Sequence, residues 1–132
     1  MPNIKLKSIE YMEAAQELIN KRIYNASVHC SYYSRLMQMK YILAHYSAKP
    51  ICYAVQDKID SSGSHEFILN EIRNRVRDSK KAKEIVDIFR LLKSRRVKAD
   101  YRDVLFSLDD SLDIKQKSES LERKLKDQFG AI

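Results

Sequence analysis

Residues 24–46, YNASVHCSYYSRLMQMKYILAHY, contain no Gly, no Pro and no cluster of charge. Within them Val28, Tyr32, Leu36, Met39 and Leu43 recur at steps of four, four, three and four. That spacing puts them on one face of an α-helix. A second apolar row, Tyr33, Met37, Tyr41 and Ala44, lies beside it. An apolar surface that wide belongs to a helix touched from several sides, the central post of a bundle. The whole chain of 132 residues holds only two Gly and two Pro, too few for turn-rich β architecture. The reading is all-α: an up-and-down antiparallel helical bundle of about five helices, with residues 1–132 as a single domain.

The other helices follow from periodicity and punctuation. Residues 8–22 read as the first, with Ser8 as N-cap and Ile9, Met12, Ile19 and Ile23 as its apolar stripe. A break is expected near Tyr24-Asn25. Pro50 ends the central helix and can open a short helix over 50–60, packed through Ile51, Val55 and Ile59. Ser61-Ser62-Gly63 is the clearest loop, and Ser64 is placed to cap a helix over about 65–78 with Phe67, Ile68, Ile72 and Val76 inward. Residues 82–98 follow, with Ala82, Ile85, Phe89 and Leu92 inward and Val86 and Ile88 adding width. Residues 99–107 either prolong that helix or form a loop. Ser107 and Asp110 have the spacing of a capping box, although Asp is short for the reciprocal bond. The last helix, about 109–128, carries Leu112, Leu121, Leu125 and Phe129, and Gly130 stops it.

Charge is the strongest functional signal. The net charge is +7, and it is unevenly placed. Residues 71–102 hold 12 Lys/Arg against 5 Asp/Glu, whereas residues 1–70 balance at +2 and residues 103–132 at −2. Such a field attracts polyanions, RNA first among them, or is simply a solvated helix face. Other chemistry is scarce. Two glycines cannot build a phosphate loop, and no zinc-type spacing links the histidines, His29, His45 and His65, to Cys30 and Cys52. No metal and no cofactor is expected. The N-terminal residues lack a signal-peptide core, and no apolar run reaches the ~18 residues of a membrane span. A cytoplasmic protein with two free thiols and no membrane association is expected.

Three stretches in order resemble a known family. Tyr24-Asn25-Ala26-Ser27 leads into Ser31-Tyr32-Tyr33-Ser34; Ser64-His65-Glu66 follows the mid-chain loop; and Leu91-Leu92 leads to Arg95-Arg96-Val97-Lys98-Ala99-Asp100-Tyr101. Together they resemble the HEPN domain (higher eukaryotes and prokaryotes nucleotide-binding), in its small single-domain prokaryotic branch. The resemblance covers about residues 8 to 128. It implies a helical bundle, usually a homodimer, with roles in RNA cleavage, nucleotide binding, or bacterial toxin–antitoxin and phage-defence systems. It also implies a separately encoded nucleotidyltransferase as a partner.

Many HEPN toxins are metal-independent RNases whose site is an Arg followed four to six residues later by His. The cation stabilises phosphorane charge, and the imidazole moves protons at the RNA 2′-OH. This chain departs from that pattern: Tyr101 stands where the His would be, and no His follows His65. A Tyr with a pKa near about 10 is a poor base at neutral pH. The one Arg-x6-His string, Arg22 to His29, spans the first helix junction and is read as coincidence.

The candidate site is therefore a surface that binds RNA or a nucleotide, formed by Arg95, Arg96, Lys98, Tyr101 and Arg102, with no catalytic residue assigned. Two alternatives stay open. One is a metal-independent endoribonuclease in which Arg95 or Arg96 acts beside Tyr101, or with His65 brought in by the fold. The other is a dimeric protein-interaction partner. Asp100 and Tyr101 also have a structural reading, as residues that fix the turn before the last helix. Of the tyrosine pair, Tyr32 is expected inward and Tyr33 at an edge or a dimer face.

Overall fold

The structure, a computed structural model, describes residues 3–58 and 63–130. Six helices form in chain order: α1 (Asn3–Asn20), α2 (Tyr24–His45), α3 (Tyr53–Asp57), α4 (Ser64–Asn74), α5 (Ser79–Tyr101) and α6 (Leu108–Phe129). No strand occurs among the described residues. The expected Ile59 and Ser61-Ser62 contributions lie outside the described residues.

Helix α2 is the post that its pattern predicts, in contact with all five other helices. Val28, Tyr32, Leu36, Met39 and Leu43 are buried in one cluster with Ile68, Leu69 and Ile72 of α4, Ile85, Phe89 and Leu92 of α5, and Ile114, Leu121 and Leu125 of α6. Each large aliphatic or aromatic side chain buried there contributes about 1.5–3 kcal/mol.

The opposite side of α2 packs by different means. Serines replace bulk, so backbones approach closely enough to exchange side-chain-to-backbone hydrogen bonds. Ser34 Oγ donates to the Ser8 carbonyl at 2.6 Å, and Ser8 Oγ returns a bond to the Ser34 carbonyl at 2.8 Å. Ser27 Oγ donates to the Ala15 carbonyl of α1, and Ser118 Oγ of α6 to the Ser31 carbonyl. This corrects the reading of α1. Ser8 is not its N-cap but a buried mid-helix contact, and the buried face is Ser8, Ala15 and Ile19, while Ile9 and Ile23 are exposed.

Helix ends explain the other boundary shifts. Helix α1 stops at Lys21–Ile23, just before the expected break, because Arg22 adopts a left-handed backbone (φ 63°). The Ile23 amide bonds the Leu18 carbonyl and the Arg22 amide the Ile19 carbonyl, a Schellman closure made without glycine. Pro50 lies outside α3, which is shorter than expected and buries Gln56 rather than Val55. Helix α4 begins at Ser64 with Gly63 in the N-cap position, and it ends at Asn74. Asp78 caps α5 through the Lys80 and Lys81 amides, so that helix starts early, and it runs on to Tyr101. In α6, Ile114 takes the inward place expected of Leu112, which is exposed. The Ser107–Asp110 capping box forms in both directions, at 3.1 and 3.0 Å, and these bonds hold the Asp110 carboxyl below its usual range. Gly130, at φ 98°, ends α6 as expected.

The α5–α6 connection is held by one side chain. Asn25 donates through Nδ2 to the Ala99 and Val104 carbonyls and accepts through Oδ1 from the Phe106 amide. Phe106 is thereby seated in the core, while Leu105 next to it is 92% exposed. Asn25→Ala removes three hydrogen bonds at once and is expected to lower stability by about 2 kcal/mol. Asn25→Asp should be similarly costly, since a carboxylate keeps the Phe106 bond but faces two carbonyls without a proton. Urea unfolding of both variants checks this; a loss below about 0.5 kcal/mol in each would show that the loop is held by other contacts.

Candidate nucleic-acid interface

Helix α5 carries different chemistry on two faces. On the outer one, Arg90, Ser94, Val97, Lys98 and Arg102 recur at helical spacing, and with Lys93 and with Glu66 of α4 they line an open groove of about 470 Å³. Glu66 lies 3.4 Å from Arg90 and 3.6 Å from Lys93. Lys98 and Arg102 have no carboxylate partner among the described residues. Four cations against one carboxylate leave the groove strongly positive.

The inner face begins with Arg96. It continues the Ile85, Phe89, Leu92 row and is only 7% exposed, so it is neither the solvated residue nor the open surface cation that its neighbours suggest. Its guanidinium lies over the rings of Tyr32 and Tyr33, at 5.0 and 5.4 Å from their centroids. Asp100 is one turn away, 3.7 Å from Arg96 Nη1. The other contact of Asp100 is His29 Nδ1 at 2.8 Å, and the His29 ring packs on Tyr33 with centroids 4.5 Å apart. On the far side, the Tyr32 hydroxyl bonds His65 Nδ1 at 2.7 Å.

One connected network therefore joins α2, α4 and α5 through His29, Asp100, Arg96, Tyr32, Tyr33 and His65. A guanidinium has only donors. A hydroxyl beside it is best oriented to accept from it and to direct its own proton at His65 Nδ1, which leaves Nε2 of the neutral imidazole as the donor. Burial pushes the His65 pKa down to about 4, with the cations Arg96, Lys93 and Lys40 adding to the effect. Burial likewise pushes the Tyr32 and Tyr33 hydroxyls up, against the pull of Arg96. His29 is half-exposed, and the carboxylate on its Nδ1 orients the ring as in a general-base pair.

The five residues read from sequence thus separate in space. Lys98 and Arg102 share the groove. Arg96 is inside. Arg95 lies toward the start of α6, where it acts electrostatically on Asp110. Tyr101 is 72% exposed, so it does not pack the turn as its structural reading requires. The Asp100 carboxylate meets His29 and Arg96 rather than the backbone amides that its structural reading expects. Sequence reasoning missed Arg90 and Lys93, although both lie one or two turns before Lys98 on the same face. It also missed the His29–Asp100 pair, whose members are 71 positions apart. Among the described residues no His, Cys, Asp or Glu group is placed to hold a metal ion, and no helix is long and apolar enough to cross a membrane. No family model, no curated protein and no solved structure matches the chain.

The depressed His65 pKa makes a stability prediction. In the unfolded chain this His takes up its proton near pH about 6.5; in the folded chain it resists until about 4. Between those values the unfolded state binds more protons, so stability falls as pH falls. Thermal melts from pH 7 down to 4.5 should show that decline, and His65→Gln should flatten it. An unchanged slope in the variant would mean that other groups control the acid limb.

Proposed function

We propose that the chain is a HEPN-like bacterial cytoplasmic protein that binds RNA or a nucleotide through the α5 groove. It acts as a homodimer in a toxin–antitoxin or phage-defence system, beside a nucleotidyltransferase partner. The observation that carries this reading is the groove itself: four cations along α5 and its C-cap, faced by a single carboxylate from α4. Neighbouring cations at that spacing fit successive phosphates better than one small anion. The inner network supports the same surface by holding α5 against α2, so the cations stand on a fixed element.

A second reading is a metal-independent endoribonuclease. It is favoured by the carboxylate-oriented His29 and the buried Arg96 cation in one network. A base and a cation are the two parts such a reaction needs. RNA cleavage in EDTA that is lost in His29→Ala would establish it, and intact RNA after prolonged incubation would leave binding alone.

The binding reading is tested with labelled single-stranded RNA over a salt series. Four phosphate contacts should give a slope of log K against log salt of about −3. The double variant Lys98→Glu, Arg102→Glu should weaken binding at low salt by at least about tenfold and flatten the slope by about 0.7 for each phosphate no longer neutralised. No RNA shift at low salt, or an unchanged slope in the double variant, would sink the reading.

A further inference from the structure

Half of the large apolar side chains that stand exposed among the described residues fall in one stretch, residues 101–112: Tyr101, Val104, Leu105, Leu108 and Leu112. Leu108 and Leu112 are about one turn apart on α6, so they share a face of that helix. Tyr101 ends α5, and Val104 and Leu105 lie in the connection between the two helices. Their exposure is not looseness. Asn25 holds the Ala99 and Val104 carbonyls and the Phe106 amide, Phe106 is buried, and the capping box closes over Ser107. Leu105 is pinned on both sides and still 92% exposed. A side chain fixed in that pose loses little further freedom when a partner covers it, which favours binding. Apolar residues gathered in this way mark an interaction surface, whereas single scattered ones do not.

The surrounding charge selects the partner. Residues 103–113 hold four Asp and no Lys, Arg or His, on a chain of net charge +7. Asp110 is engaged by the cap and by Arg95, and Asp113 by Lys117 at 2.6 Å. Asp103 and Asp109 are exposed and have no cation partner among the described residues. Such a rim repels nucleic acid and an anionic membrane surface alike. A two-fold contact with a second copy would lay the rim against itself, and like charges facing each other across a contact are costly. Arg102, which could have relieved that repulsion, lines the groove instead. A partner that carries cations beside aliphatic side chains satisfies both the leucines and the carboxylates. The Leu108–Leu112 step matches the i, i+4 anchors of a helix laid alongside.

We propose that Tyr101, Val104, Leu105, Leu108 and Leu112 form a docking surface for a basic amphipathic helix of another protein, whose aliphatic row covers the leucines and whose Lys or Arg side chains reach Asp103 and Asp109. None of these residues lines the groove, and the surface does not depend on what the groove binds.

The test is titration of the full chain with an amphipathic peptide of about 18 residues, leucines along one helical face and lysines on the other, followed by amide chemical shifts. Shifts should centre on residues 101–113. A peptide with glutamates in place of the lysines, and a scramble that breaks the leucine face, should each bind at least about tenfold more weakly. The double variant Leu105→Ser, Leu108→Ser, at two exposed positions, should also lose at least about tenfold, the scale of one buried leucine. Asp103→Asn with Asp109→Asn should lose about threefold or more at low salt and leave the leucine dependence in place. Shifts centred elsewhere, equal binding of the lysine and glutamate peptides, or no binding at all overturns the proposal. So does a dimer, seen by sedimentation, that the double leucine variant turns into monomers, because the surface would then belong to a second copy.

Discussion

The arrangement depends on how the Arg96 guanidinium is accommodated after leaving water. A cation at 7% exposure is costly unless something replaces its hydration. Here the replacements come from two directions. The faces of Tyr32 and Tyr33 lie against it from α2, worth about 2 kcal/mol when desolvated, and Asp100 offers charge from its own helix. Each partner is then committed elsewhere. Tyr32 is bonded to His65, Asp100 to His29, and Tyr33 packs on both histidine rings. The register of α5 on α2, and the pose of the first turn of α4, follow from one buried charge.

A second buried cation settles the other side of α2. Arg35, 1% exposed, donates to Gln38 and Ser34 within its own helix and lies 3.3 Å from Glu122 of α6. Burial lowers its pKa and Glu122 opposes the shift. Its ion pair is shorter than that of Arg96, 3.3 against 3.7 Å, although Glu122 is partly exposed. Together with the serine contacts, it means that α1 and α6 meet α2 through polar groups of defined direction as well as through apolar packing. Apolar packing alone tolerates sliding between helices. Reciprocal Ser8–Ser34 bonds and a guanidinium aimed at Glu122 do not, and they fix the depth at which each helix sits.

This division explains what was legible in the sequence. The apolar row of α2 and the Ala82, Ile85, Phe89, Leu92 row of α5 were readable because hydrophobic burial repeats with the helix period. The Ser107–Asp110 box and the Gly130 stop were readable because capping is local. Interfaces built from serine were not, since a serine at an inward position looks the same as one at the surface; Ser8 passed for a cap on that account. Arg96 is the instructive case. It lies four residues after Leu92, squarely on the inward row, and only its charge argued otherwise. The partners of His29 and His65 come from remote positions that no local spacing reveals.

Separating the two faces of α5 also changes what its charge means. Counted along the chain, Arg95, Arg96, Lys98 and Arg102 look like one basic patch. In space Arg96 is spent on holding the helix and Arg95 faces the acidic start of α6, so neither adds to the outer field of the groove. Arg90 and Lys93 take their place, brought level with Lys98 and Arg102 by the helical repeat. The inner network and the outer groove are still coupled, because Lys93 lies near enough to His65 to help keep it neutral. By the same electrostatics, a polyanion that screened Lys93 would ease protonation of His65. Charge on the outer face of α5 is thus felt at the imidazole that closes the network on the other side.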